Sequence, residues 1–276
     1  MLFLPLMTAD TKEMSFFGHL EELRKRLFRM AAAVILVAVV LFFYTEWIID
    51  TVYIAMSKPN FITYRAFCKI GKLLDLQDTL CANEIKLQFQ SIKMTGQFST
   101  NIYFSFVGGI VLSFPYLFLQ VWGFVKPGLK KNETSATKGI VLWASLLFLC
   151  GIFFGYFIIA PLTVQFFGNY TMSQDIMNIP TIGDYIGIIT ATTFWTGLLF
   201  ELPVVIYILT KIGIVGPEFL RTYRKHAIVV VLILSAVITP PDFFSQIIVS
   251  IPILILYEIS IFVSARTEKA RIKSKA

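Results

Sequence analysis

The sequence predicts an all-α, polytopic integral membrane protein with six membrane-spanning helices and both termini in the cytoplasm. Three observations predict it. Of 276 residues, 57% are hydrophobic and only 15% are charged, whereas soluble domains carry about a quarter charged residues. The apolar residues gather into runs close to the ~20 needed to cross a hydrocarbon core of roughly 30 Å. Of the 24 lysines and arginines, all but the six within 49–100 flank those runs on one side. A net charge of +7 would suit a nucleic-acid binder if the basic residues shared a compact domain. Scattered between apolar runs, they fit membrane topology instead.

The first run, 27–48, follows a charged stretch, GHLEELRKRL, with Glu21 and Glu22 among three cations. A long segment, 49–100, comes next and is the least hydrophobic part of the chain. Within it, AFCKIGKLLDLQDTLC carries a helical stripe of leucines, and EIKLQFQSIKM alternates as a strand does. Cys68 and Cys81 bracket the helical part. On an oxidising outer face they form a disulfide or stay as two half-buried thiols. Further runs occupy 101–119, 139–160 and 185–209, and Cys150 in the third reads as packing. The fifth, 227–238, is short; a dozen helical residues rise only about 18 Å. Pro240 and Pro241 then force a turn into a sixth run, 244–263, also short, which Pro252 is expected to bend.

Orientation follows from the basic residues. Arg24, Lys25, Arg26 and Arg29 precede the first run; Lys130, Lys131 and Lys138 lie between the second and third. Lys211, Arg221, Arg224 and Lys225 lie between the fourth and fifth, and Arg266 to Lys275 follow the sixth. The short opposite loops, 161–184 and 239–242, have none. This asymmetry assigns both termini to the cytoplasm. The basic residues of 49–100 do not disturb it, because long loops translocate with little regard for charge.

The chemistry-bearing residues argue against an enzyme. There is no phosphate-cradling glycine loop and no HExxH; the two histidines, His19 and His226, sit at the cytoplasmic boundary. No metal or cofactor is expected. The carboxylates carry more. Glu22 is either an i,i+4 partner of Arg26, worth a few tenths of a kcal/mol, or a reader of a foreign cation. Glu133 follows the Pro127-Gly128 turn among lysines that would neutralise it. Glu201, in FELPVV, lies inside the fourth span, where an ionisable group is costly and therefore a candidate for function. Pro203 frees backbone polarity beside it. Glu258 is nearer its helix end, and Gln120 and Gln246 read as interhelical contacts.

Five motifs in order, HLEELRKRL (19–27), LSFPYLFLQVWGFVKPGLKKNE (112–133), FELP (200–203), GPEFLRTYRK (216–225) and TPPDFFSQ (239–246), together resemble TatC. That family is the polytopic core subunit of the twin-arginine, Sec-independent protein translocase of the bacterial inner membrane. The resemblance covers nearly the whole chain except about 49–90. It implies a single cupped bundle that binds twin-arginine signal peptides of folded cargo and forms a channel. Transport draws on the proton-motive force with TatA and usually TatB as single-span partners, alongside further TatC copies. It implies Glu22 and Glu133 as readers of one arginine each, with Glu21 and Arg24 shaping the site and Phe124 packing the peptide. Glu201 would line the concave face, and Gln246, Pro127, Pro203, Pro240, Pro241 and Asp242 belong to the matching motifs. A secondary transporter of a small solute or ion is the alternative; it predicts internal repeats and a polar midplane cluster, and the chain shows no convincing repeat.

Overall fold

The computed structural model describes residues 16–73, 88–125, 137–173, 179–239 and 243–273. The expectations placed on Cys81, Pro127, Glu133, Pro240, Pro241 and Asp242 lie outside these residues. The described chain is helical. Its elements are α1 (Phe16–Phe43), α2 (Thr45–Ile48), a π-helical turn (Ile49–Tyr53), α3 (Ile54–Ser57) and α4 (Ile62–Leu73). Then follow α5 (Gly96–Val125), α6 (Thr137–Phe154), a second π-helical turn (Gly155–Ile159), α7 (Ala160–Asn169) and α8 (Ile182–Phe200). The last four are α9 (Leu202–Ile212), α10 (Pro217–Thr222), α11 (Arg224–Ile238) and α12 (Phe243–Lys273).

Among the described residues, five helical stretches are long and apolar enough to cross a membrane: Phe17–Phe43, Gly96–Val125, Gly139–Asn169, Ile182–Ile212 and Gln246–Ile272. They are longer than the apolar runs because the helices continue into polar sequence, where backbone hydrogen bonding does not depend on side-chain polarity. The third passes through Pro161, whose missing amide leaves the Phe157 carbonyl to accept instead from the Thr63 hydroxyl on α4. One expectation changes: the last helix is not short, since α12 has 31 residues as Arg266, Lys269 and Arg271 extend it past the apolar run. The fifth run is short as expected: it forms α11, a helix of 15 residues that rises about 22 Å and falls below the length of a full span. Five stretches rather than six therefore reach spanning length among the described residues.

The expected strand at 85–92 is, in its described part, a single parallel bridge between Gln90 and Thr181. Gln90 donates to the Pro180 carbonyl at 3.2 Å and accepts from the Ile182 amide at 3.0 Å. This pins the end of the long segment to the start of α8.

Helix contacts are made close by small residues. α1 and α5 run antiparallel: a Cβ at Gly109 would come within 2.9 Å of the Val34 carbonyl, and Thr45 at the far end donates to Asn101 at 2.7 Å. Between α6 and α8, Gly151 and Gly197 face each other, so a Cβ on Gly151 would lie 2.9 Å from the Gly197 Cα. Backbones approach this closely where dispersion, not the hydrophobic effect, holds helices together. At the end of the bundle carrying α2 to α4, Tyr53, Met56, Phe104, Val164, Tyr185, Ile186 and Ile189 form a buried cluster. Its hydroxyls are spent inside: Tyr185 donates to the Tyr53 carbonyl at 2.8 Å, Tyr156 to Val52 at 2.6 Å, and Tyr53 pairs with Thr190 at 2.8 Å. Cys68 on α4 is disulfide-bonded; Cys150 is free.

Candidate functional site

At the end of the bundle opposite that cluster, the first turns of α1 lie beside the last turn of α5. Four residues apart, Glu22 and Arg26 share one face of α1. Arg26 donates to the same Glu22 oxygen twice, from Nη2 at 2.6 Å and from Nε at 3.0 Å, so Oε1 takes both bonds. Its third nitrogen, Nη1, turns to α5 and approaches the Gln120 carbonyl at 3.3 Å and the Gln120 Oε1 at 3.4 Å. Gly123 makes room for it, because a Cβ there would overlap the guanidinium. His19 stacks on Phe124 with ring centroids 4.2 Å apart. Together these residues form a cradle that fits a guanidinium: a carboxylate, a carbonyl, an amide oxygen, a glycine notch and an aromatic wall.

The cradle is half open to solvent. The Glu22 and Arg26 side chains are 26% and 20% exposed, and Glu22 Oε2 accepts no bond from a described residue. Glu21 faces away and pairs with Lys25 at 2.8 Å in the open. Arg24 is exposed and forms no ion pair with a described residue.

Glu201 stands at the junction of α8 and α9, the only interruption in that stretch of helix. Its residue is 6% exposed, and neither carboxyl oxygen has a hydrogen-bond partner. The backbone of Phe148 on α6 lies near it, too loosely for a hydrogen bond. Pro203 follows in the first turn of α9 and is buried. Gln246 donates from Nε2 to the Leu232 carbonyl at 3.1 Å and ties α12 to α11. Glu258 accepts from Arg224 at 2.8 Å on the exposed surface.

This architecture has relatives. Residues 18–252 match the family model described as TatC, Sec-independent protein translocase protein. The chain belongs to the TatC family. It is 38% identical over 266 residues to the TatC of Blattabacterium, covering 96% of this chain and all of that one. It is 34% identical over 264 residues to TatCy of Bacillus subtilis, covering 96% of this chain and 94% of the relative. Among solved structures, the twin-arginine translocase receptor TatC crystallised in DDM is 28% identical with a TM-score of 0.68, covering 89% of this chain and 99% of that one. The protein is thus a multi-pass membrane component of twin-arginine protein transport and not an enzyme.

As a TatC chain, it brings Glu22 and Phe124 together at one helix pair, while Glu133 lies outside the described residues. The i,i+4 pairing of Glu22 with Arg26 expected from the sequence is present, whereas Arg24 does not reach Glu22. The contact of Arg26 with Gln120 and the notch at Gly123 were not read from the sequence. Gly123 carried no signal, because its notch exists only once α1 and α5 are in register.

Proposed function

We propose that this TatC chain is the receptor that reads paired arginines on the signal peptides of folded cargo, with Glu22 and Glu133 accepting one guanidinium each. The observation that supports it is the cradle at Glu22, which already holds an arginine and leaves one carboxylate oxygen open. Arginine suits such a site better than lysine, because its planar fork meets both oxygens of a carboxylate. Consecutive arginines in a signal are an address that a receptor reads, not an anchor. Phe124, backed by His19, would pack beside the peptide, and Glu21 would add negative potential at the approach.

In this reading both termini face the cytoplasm of a bacterial inner membrane, and the short α11 completes a sixth, thinned crossing. The bundle is a cup whose concave face carries Glu201 as a polar foothold for an inserted peptide or partner helix. Cys68 pairs with Cys81 on the outer side. TatA-type single-span subunits, with or without a TatB, and further TatC copies complete the machine, which moves cargo at the expense of the proton-motive force.

The test is binding of a fluorescent twin-arginine signal peptide to the purified protein. Glu22→Gln combined with Glu133→Gln should weaken binding by about tenfold or more, since a charge-assisted bond is worth roughly 1.5–3 kcal/mol. Undiminished binding by the double variant, or equal capture of a Lys-Lys peptide by the wild-type protein, would overturn the reading.

A further inference from the structure

The signal-peptide reading leaves one fact unexplained: the carboxylate meant for a foreign arginine already holds a native one. Arg26 places Nε and Nη2 on a single oxygen of Glu22. A guanidinium arriving from cargo finds Oε2 open and Oε1 taken. It can bind end-on through one bond, or bind side-on through two only after Arg26 gives up Oε1.

Two details make that exchange cheap. First, Arg26 Nη1 lies beside the Gln120 carbonyl and side-chain oxygen at 3.3 and 3.4 Å, distances slack enough to tighten. Second, Gly123 leaves an opening on α5 into which the guanidinium fits. An arginine released from Glu22 therefore keeps two acceptors on α5 and is never left stranded. Both Arg26 and Glu22 remain partly exposed, so the exchange can proceed from solvent.

Resting on the receptor reading above, we propose that Arg26 is a tethered competitor: it occupies Glu22 until a cargo arginine displaces it onto Gln120, and so sets the selectivity for arginine over lysine. Tethering four residues away on the same helix gives Arg26 a high effective concentration, so weak cations cannot replace it. A lysine ammonium is a point charge without parallel N–H groups; it can match one of the two bonds that Arg26 makes to Oε1, not both. A cargo guanidinium replaces them in kind. The competitor thus lowers affinity for every ligand but penalises lysine more.

The experiment measures anisotropy of a fluorescein-labelled twin-arginine signal peptide and of its Lys-Lys counterpart on the full-length protein in detergent. Wild type, Arg26→Gln, Arg26→Lys and Glu22→Gln are compared. Arg26→Gln should bind the Arg-Arg peptide about three- to tenfold more tightly, the weight of a partly exposed charge pair. Binding of the Lys-Lys peptide should rise by more, so the ratio of the two affinities narrows. Arg26→Lys, which keeps the charge and the aliphatic stem, decides the matter if Arg26→Gln melts early; it should shift both affinities in the same direction by less. Weaker Arg-Arg binding with Arg26 replaced, or an unchanged ratio, would show that Arg26 only positions Glu22 and would overturn the proposal. Glu22→Gln separates the two levels: if it leaves wild-type binding intact, the receptor reading itself fails.

Discussion

Replacing Glu201 by methionine should make the protein more stable and less active. The carboxyl is buried, and neither oxygen finds a hydrogen-bond partner. A buried polar group left unsatisfied costs about 1–3 kcal/mol, and methionine fills a similar volume without that cost. For a chain of this size, each kcal/mol moves the melting temperature by roughly 2–4 °C, so a rise on the order of 2–12 °C is expected. Glu201→Gln is the control: it keeps the shape but still buries polar atoms without partners, so its melting temperature should stay close to wild type. Thermal unfolding of the detergent-solubilised proteins, followed by size-exclusion fluorescence, reads the first half. Export of a folded twin-arginine reporter in cells lacking their own TatC reads the second, and the methionine variant should export poorly. A melting temperature at or below wild type would mean that the carboxyl has a stabilising partner. A stable variant that exports at full rate would remove Glu201 from the transport mechanism.

Other outcomes follow from the packing. Gly151→Ala places a Cβ 2.8 Å from the Phe200 side chain and 2.9 Å from the Gly197 backbone, which should cost about 1–3 kcal/mol and lower the melting temperature. Gly187→Ala, on the facing helix α8 and with nothing within 4 Å, should be neutral or slightly stabilising; equal losses for both would refute the packing account. Gly213 ends α9 in the left-handed region at φ 93°, where its amide and that of Ile214 both reach the Leu209 carbonyl. There, Gly213→Ala should cost about 1–2 kcal/mol and also push away Arg271, which donates to the Thr210 carbonyl at 3.2 Å. Unfolding in detergent checks it against Gly139→Ala, another site with nothing within 4 Å of the added carbon.

The apolar runs made the membrane class legible, because hydrocarbon thickness imposes a length that composition alone reveals. Helix ends were not legible: Arg266 to Arg271 look like a cytoplasmic tail, yet they continue α12, since lysine and arginine are good helix formers outside the bilayer. Pro161, at the start of the expected loop 161–184, continues its helix because Thr63 supplies the bond that its missing amide withholds, a partner visible only once α4 is in place. At the candidate site, Glu22 and Arg26 could be paired from their spacing along one helix. The Gln120 and Gly123 contacts needed the register of α1 against α5, which the sequence sets through Gly109, Asn101 and Thr45 only after both helices exist. Glu201 was visible by depth; that its oxygens have no partner required the surrounding helices in place.

Among the long helices, α1 leans chiefly on α5, and most of its apolar surface faces outward. During synthesis it leaves the ribosome well before α5, which begins only at Gly96. The first helix must therefore wait in lipid as an isolated rod, and its greasy circumference suits it to do so. Docking completes when the later glycines arrive, and only then does the arginine at its foot gain the neighbour that steadies it. The cradle at the foot of α1 therefore takes its shape only once α5 has docked.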